Sequence, residues 1–239
     1  MLQSAAMNPV ATILSLLVLS TMLAFTHFAG AQEVEITAEP SHHLVLENEY
    51  VRVFSVSVAP HAATLMHRHR HDYVFVTLGD ARISNEVEGK DPVELMLSDG
   101  QTRFTTGNFA HVARNLADAP FRNVTIELLQ DEKRRTSAAP WDKDSGEESS
   151  LGWNRKILFV KDGVRVSEVE LDAKTILPKK LIVGPMLLVA VSEIELSTGA
   201  HGNAPAGKML KPGELWWSDG AAAVTNAGTG PARFVMLEF

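Results

Sequence analysis

His67-Arg68-His69-Arg70-His71-Asp72-Tyr73 is the stretch on which the reading of this 239-residue chain turns. Side chains alternate between faces along an extended strand, so His67, His69, His71 and Tyr73 share one face while Arg68, Arg70 and Asp72 take the other. Two imidazoles at i and i+2 can then converge on one ion. The chain contains no cysteine, which excludes disulfides, thiolate metal sites and a cysteine nucleophile, so any metal must be held by nitrogen and oxygen. Downstream, His111 stands on a second apolar segment that can pair across a barrel and supply a third nitrogen.

Around these histidines the pattern is strand-like. Short stretches rich in Val, Leu and Phe alternate with polar residues and are broken by Gly, Asp, Pro and Asn, and long helical periodicity is missing. Strands are expected over Val51–Val58, Leu65–His71, Tyr73–Leu78, Ala81–Ile83, Val93–Leu97, Gln101–Thr105, Ala110–Asn115 and Phe121–Leu129. Many short strands with turn chemistry between them indicate a sandwich or closed barrel.

The second half repeats the first. Val164-Arg165-Val166 echoes Val51-Arg52-Val53, Lys211-Pro212-Gly213 echoes Ser98-Asp99-Gly100, and Val224-Thr225-Asn226 echoes the segment from Val112 to Asn115. The offset is 113 residues early (Val164 against Val51) and 111 late (Asn226 against Asn115), which a two-residue loop deletion reconciles. So long a period means duplicated domains rather than a solenoid. The segment 131–152, rich in Asp, Glu, Lys, Arg and Ser, reads as an exposed linker between a barrel at 42–130 and another at 153–239.

The two histidine segments resemble the paired motifs of the cupin superfamily, G-x5-H-x-H-x3,4-E-x6-G and G-x5-P-x-G-x2-H-x3-N. His67 and His69 match the histidine pair of the first, with His61 in place of the opening glycine and Gly79 one position before the closing one. Gly100, His111 and Asn115 match the second, with Thr106 in place of the proline and Gly107 one position early. The resemblance implies an all-β chain of two tandem cupin barrels, each a double-stranded β-helix or jelly roll. It also implies a divalent metal on His67, His69 and His111.

At the family's carboxylate position stands Tyr73, a neutral phenol with a reference pKa near 10. The implied site is then three neutral imidazoles, similar to those of cupin thiol and diketone dioxygenases. Fe(II) is the favoured ion, and Zn, Mn, Ni or Cu suit the same ligands. Tyr73 is the candidate catalytic residue, as a pocket acid or a distal ligand, and His71 is an alternative ligand by a change of register. Phe75 shares the histidine face. Arg103 and Arg114 lie near the second motif, where an arginine in a barrel mouth would clamp a substrate carboxylate, although strand arginines usually face solvent.

In the second repeat the positions of His67, His69, Tyr73 and His111 hold Lys180, Ile182, Met186 and Ala222, while Asn226 retains the motif's asparagine. That barrel is expected to hold no metal. Glu193 and Glu195 read as a solvated face, His201 as a loop residue, and Gly228-Thr229-Gly230 as a turn rather than a phosphate cradle. Trp216 and Trp217, adjacent on a strand, are expected to point to opposite faces.

Residues 1–31 contain no Lys, Arg, Asp or Glu, and an apolar run from Pro9 to Phe25 leads to Ala29-Gly30-Ala31, the small-x-small pattern of a processing site. A signal peptide over 1–31 implies export to the periplasm or medium, with no membrane association after cleavage. The net charge of -7 disfavours nucleic acid and anionic lipid as partners. A small molecule is the expected partner, and an exposed sheet edge on each barrel offers a surface for a homodimer. Two function classes fit: an oxygenase-type metalloenzyme, or a non-catalytic module that binds or senses a small molecule or metal. The intact mass of exported protein should correspond to a chain starting at Gln32; a mass that includes residues 1–31 would show a retained anchor.

Overall fold

Apolar-polar alternation punctuated by Gly, Pro, Asp and Asn folds as strands throughout, and among the described residues there is no α-helix. The computed structural model describes residues 33–129, 145–161, 163–182, 184–197, 208–220 and 222–239. The expected signal peptide at 1–31 with its cleavage after Ala31, the expected linker up to 144, and His201 lie outside them.

The N-terminal repeat contains β1 (Val34–Glu35), β2 (His42–Glu47), β3 (Val51–Val58), β4 (His67–His69), β5 (Tyr73–Leu78), β6 (Ala81–Val87), β7 (Val93–Leu97), β8 (Thr102–Thr105), β9 (Phe109–Asn115) and β10 (Phe121–Leu128). They form two sheets, in the orders β1-β4-β9-β6-β7 and β2-β3-β10-β5-β8. The second repeat contains β11 (Gly146–Ser150), β12 (Trp153–Lys161), β13 (Val164–Leu171), β14 (Ile176–Leu177), β15 (Met186–Ala190), β16 (Ile194–Ser197), β17 (Lys208–Leu210), β18 (Leu215–Ser218), β19 (Val224–Asn226) and β20 (Ala232–Glu238). Their orders are β11-β12-β13-β20-β15-β18 and β14-β19-β16-β17. With β1 and β11 set aside, the two repeats have the same strand order in both sheets.

Each repeat closes around its own core. Phe54, Val56 and Val58 of one N-terminal sheet meet Ala81, Ile83 and Leu97 of the other, and Leu171, Leu188 and Phe234 meet Ile194, Leu196 and Leu210 in the second repeat. A third core joins the repeats. Val74, Val76, Val124 and Ile126, from the backs of β5 and β10, pack with Val166, Leu187, Val235 and Leu237, from the backs of β13, β15 and β20. These strands are therefore buried on both faces, and each such side chain contributes about 1.5–3 kcal/mol.

The motif asparagine does the same work twice. Asn115 Nδ2 donates to the carbonyls of Val58, Ala59 and Ala119 at 3.2, 3.2 and 2.8 Å, and its Oδ1 accepts from Ala117 N at 3.0 Å. Asn226 does so with Leu171, Asp172, Gly230 and Gly228 at 3.1, 3.2, 2.8 and 3.0 Å. Trp216 packs on the core of the second barrel and Trp217 on the core between the barrels, so the two indoles do face opposite ways. Gly146–Ser150, inside the segment read as linker, is an edge strand paired to β12; its side chains are mostly exposed, so it leaves no apolar period in the sequence.

Truncating Ile126 to Ala in the core between the barrels should cost about 2–5 kcal/mol of stability. In urea the chain should still unfold in one transition, because that core belongs to both repeats; two resolved transitions would show the barrels folding independently.

Candidate metal centre

His67 and His69 are carried inward by β4, which pairs with β9 so that His67 stands directly opposite His111. The outward face follows the expected alternation, with Arg68 bonded to Glu33 at 2.6 Å and Arg70 paired to Glu35. The strand ends at His69, earlier than the sequence suggests. His71 therefore leaves the face of the other histidines and lines a separate small recess with Arg52 and Arg70.

The turn after β8 fixes the end of β4. Asn108 N donates to His69 O at 2.6 Å and Gly107 N to Asp72 Oδ1 at 2.8 Å. A Cβ on Gly107 would lie 2.2 Å from the His71 carbonyl, so only glycine fits there. Asn108 occupies the place of the motif's second glycine and has φ 63°; His61, in place of the first motif's opening glycine, has φ 56°. Asn and His tolerate this left-handed conformation better than most residues, which is how the turns survive without glycine.

A fourth histidine joins the cluster. His42, at the start of β2, is buried, and one ring nitrogen from each of His42, His67 and His69 lies within 4.8 Å of the others. The His111 ring centroid is 4.5 Å from that of His67 and 5.2 Å from that of His69. Sequence reasoning missed His42, which belongs to neither motif.

Hydrogen bonds set the tautomers. His42 Nδ1 donates to Glu39 Oε2 at 2.6 Å, His67 Nδ1 to the Leu65 carbonyl at 2.9 Å, and His111 Nδ1 to Asn85 Oδ1 at 2.6 Å. Carbonyl and carboxylate oxygens only accept, so Nδ1 carries the proton and Nε2 keeps its lone pair. Nε2 of His67 and Nε2 of His111 are buried without a hydrogen-bond partner. Such atoms are costly unless something occupies them, and a cation suits a bare imidazole lone pair.

Burial, followed by neighbouring imidazoles, lowers the pKa of His67 to about 4 and of His111 to about 3, and lowers that of His69 as well. All three imidazoles are neutral at pH 7. Tyr73 is buried and stacks on His69 with centroids 4.2 Å apart. Burial chiefly raises its pKa to about 12, against a hydrogen bond to Thr105 that lowers it. The phenol stays neutral, as the sequence indicates, and acts as a rigid wall to His69.

Behind His69 lies Glu127, fully buried on β10. Its Oε1 has no hydrogen-bond partner and lies 3.9 Å from His69 Nδ1, itself unpartnered, while Oε2 is 3.4 Å from Arg52 Nη1. Burial raises the Glu127 pKa to about 7, with Arg52 opposing.

The histidines open onto a cavity of about 280 Å³. Phe75, Ile83 and Leu95 give it apolar walls, Asn123 and Arg103 add polar groups, and none of its lining residues is a carboxylate. Arg114, the other arginine flagged by the sequence, is on the outside, paired with Glu86 at 2.9 Å. In the second repeat Met186 and Ile182 are buried in an apolar core, and among the described residues the metal-capable histidine cluster belongs to the first repeat.

No family model matches the sequence, and no curated protein matches it. Solved structures do resemble the fold. A Pseudomonas aeruginosa protein assigned as glyoxylate-induced aligns with TM-score 0.58 at 13% identity, over 82% of this chain and 78% of that one. Oxalate decarboxylase from Bacillus subtilis aligns with TM-score 0.53 at 11% identity, over 82% and 74%. A cupin domain from Bordetella pertussis Tohama I is 28% identical over 36% of this chain and 90% of its own length, with TM-score 0.35. Strand order, the paired motifs and the inward histidines agree with the first two likenesses: the chain has the two-barrel fold of the bicupins, with its metal-capable histidines in the N-terminal barrel.

Proposed function

We propose that the N-terminal barrel holds one divalent metal through His67, His69 and His111, with His42 as a fourth imidazole at the same centre, and presents it to a small organic anion as an exported oxygenase-type metalloenzyme. The observation that carries this is the pair of buried, unpartnered Nε2 atoms on His67 and His111 at the head of the cavity. A bound ion supplies Lewis acidity and, as Fe(II) or Mn(II), a redox centre for O2 chemistry. Bacillus subtilis oxalate decarboxylase has Mn(II) centres, which supports Mn(II) alongside Fe(II).

The chain's own groups do the rest. Glu39, Leu65 and Asn85 hold three imidazoles with Nε2 turned away from them, and Tyr73 fixes the plane of His69 by stacking. Arg103, on the cavity wall, is placed to accept a carboxylate. The volume is near the small end of ligand sites, about 300 Å³ upward, and suits a compact substrate. Without a lining carboxylate, and with Tyr73 neutral, the cavity offers no strong general base. That favours chemistry at the ion over side-chain proton abstraction, and it equally suits a module that captures an anion without turning it over.

Metal analysis separates these outcomes. Purified mature protein should carry about one ion per chain, and His67→Ala, His69→Ala or His111→Ala should each weaken binding 10- to 100-fold or more; retention by all three variants would refute the site. Arg103→Ala should leave metal content unchanged and weaken carboxylate binding by roughly 10- to 100-fold, the worth of a charged hydrogen bond. Oxygen uptake on adding a carboxylate ligand identifies an enzyme; a rise in melting temperature without uptake identifies a binder.

Acid should unfold the metal-free protein. His67, His69 and His111 have lowered pKa values in the fold, so the unfolded chain takes up their protons first as pH falls below about 6.5. Glu127, raised to about 7, works the other way, since the fold binds its proton before the unfolded chain does. Three histidines outweigh one carboxylate, so the folding constant should fall by about tenfold or more per pH unit between pH 6 and 5. Urea titrations of chelated protein check this, and stability that is flat over that interval would contradict it.

A further inference from the structure

The two repeats place the same charged pair at the same register. Arg52 faces Glu127 across β3 and β10, and Arg165 faces Glu238 across β13 and β20. Glu127 pairs on its other side with Tyr73, and Glu238 with Met186, the residue at the Tyr73 position. The register also aligns His42 with Arg155, because His42 is opposite Val56 and Arg155 is opposite Val169, and Val56 and Val169 face Asn123 and Phe234 at matching points of β10 and β20. Where the first barrel has a metal-capable histidine, the second has an arginine.

Arg155 is among the largest fully buried side chains of the protein. Each of its guanidinium nitrogens donates a bond: Nη2 to Glu238 Oε2, Nη1 to the Leu181 carbonyl at 2.6 Å, and Nε to Ser167 Oγ at 3.1 Å. Leu181 corresponds to Arg68, between the positions of His67 and His69. Here the strand is replaced by a 3-10 turn, Lys179–Leu181, whose carbonyl also accepts from Arg165 at 3.2 Å. Arg165 Nε and Nη2 reach Glu238 at 2.9 Å. In the first barrel the equivalent carboxylate, Glu127, has one oxygen on its arginine and the other open toward His69.

We infer that the second barrel keeps the cation-binding centre of this fold and fills it permanently with its own guanidinium, Arg155 standing where the first barrel holds its metal-capable cluster. The carboxylate on the central strand stands at the same place in both barrels, behind His69 in the first and bonded to the guanidinium in the second. In the second barrel it meets a fixed cation in place of histidines, and the 3-10 turn supplies the third acceptor. The centre selects a planar, forked cation and takes no divalent ion.

Chemical rescue tests this in the full chain. Arg155→Ala should lower Tm by roughly 10 °C, and millimolar ethylguanidinium, which replaces the deleted atoms, should raise it again in a saturable way. The same additive should not raise the wild-type Tm, and ethylammonium, lacking the fork, should rescue Arg155→Ala less. A wild-type Tm for Arg155→Ala, or no rescue of a lowered one, overturns the inference. If Arg155→Ala does not fold, Arg155→His provides the test: its stability deficit relative to wild type should shrink as pH falls from 8 to 6 and the imidazole becomes a cation. A deficit that is constant or grows overturns it.

Discussion

The strand β10 works on two faces at once, and the site depends on it. Val124, Ile126 and Leu128 lock its back into the core between the barrels, while Asn123, Thr125 and Glu127 turn into the first barrel. Because side chains alternate with period two, a slip of one residue would send Glu127 into an apolar interface and a valine or isoleucine into the cavity. The second barrel therefore holds the register of the strand that carries Asn123 and Thr125 in the cavity wall and Glu127 behind His69. Neighbouring β5 obeys the same constraint, with Val74 and Val76 behind and Tyr73 and Phe75 lining the cavity. A second repeat so placed acts as the rigid back of the one that carries the histidine cluster.

Much of this was legible. β3, β5 and β7 span the residues that alternation indicates, and His67 and His111, far apart in sequence, are paired partners as the motifs imply. Trp216 and Trp217 split between two cores for the reason strand geometry gives. What failed was β2. Its run His42-His43-Leu44-Val45-Leu46 carries an irregularity between Leu44 and Leu46, and Leu44 and Val45 are half exposed, so the edge strand shows no period of two. Missing the strand meant missing His42. Arg155, one offset of 113 residues from His42, points inward as well, a match the sequence conceals because an arginine on a strand usually faces solvent.

The repeats show that backbone and side-chain chemistry are separable. Asn115 and Asn226 make matching sets of bonds to matching carbonyls, so the turn they staple is indifferent to whether histidines lie nearby. Non-glycine residues also take the left-handed turn at matching places, His61 in one repeat and Lys174 in the other. The strand corresponding to β4 shows no such independence. The positions of His67 and Arg68 fall in the turn Lys179–Leu181, and the Leu181 carbonyl serves two arginines.

Charge placement explains why a tyrosine can replace the carboxylate. A carboxylate among the ligands would neutralise half of a divalent ion and compete with an incoming anion for it. Here the acids stand one imidazole away: Glu39 on His42 Nδ1, and Glu127 facing His69 Nδ1. Each can polarise its histidine and strengthen it as a donor, yet neither occupies a coordination position. Those positions stay available to a ligand from the cavity, where Arg103 adds further positive charge. Tyr73, kept neutral by its burial, fills the vacated space without adding charge, which is consistent with the proposal of an anionic ligand.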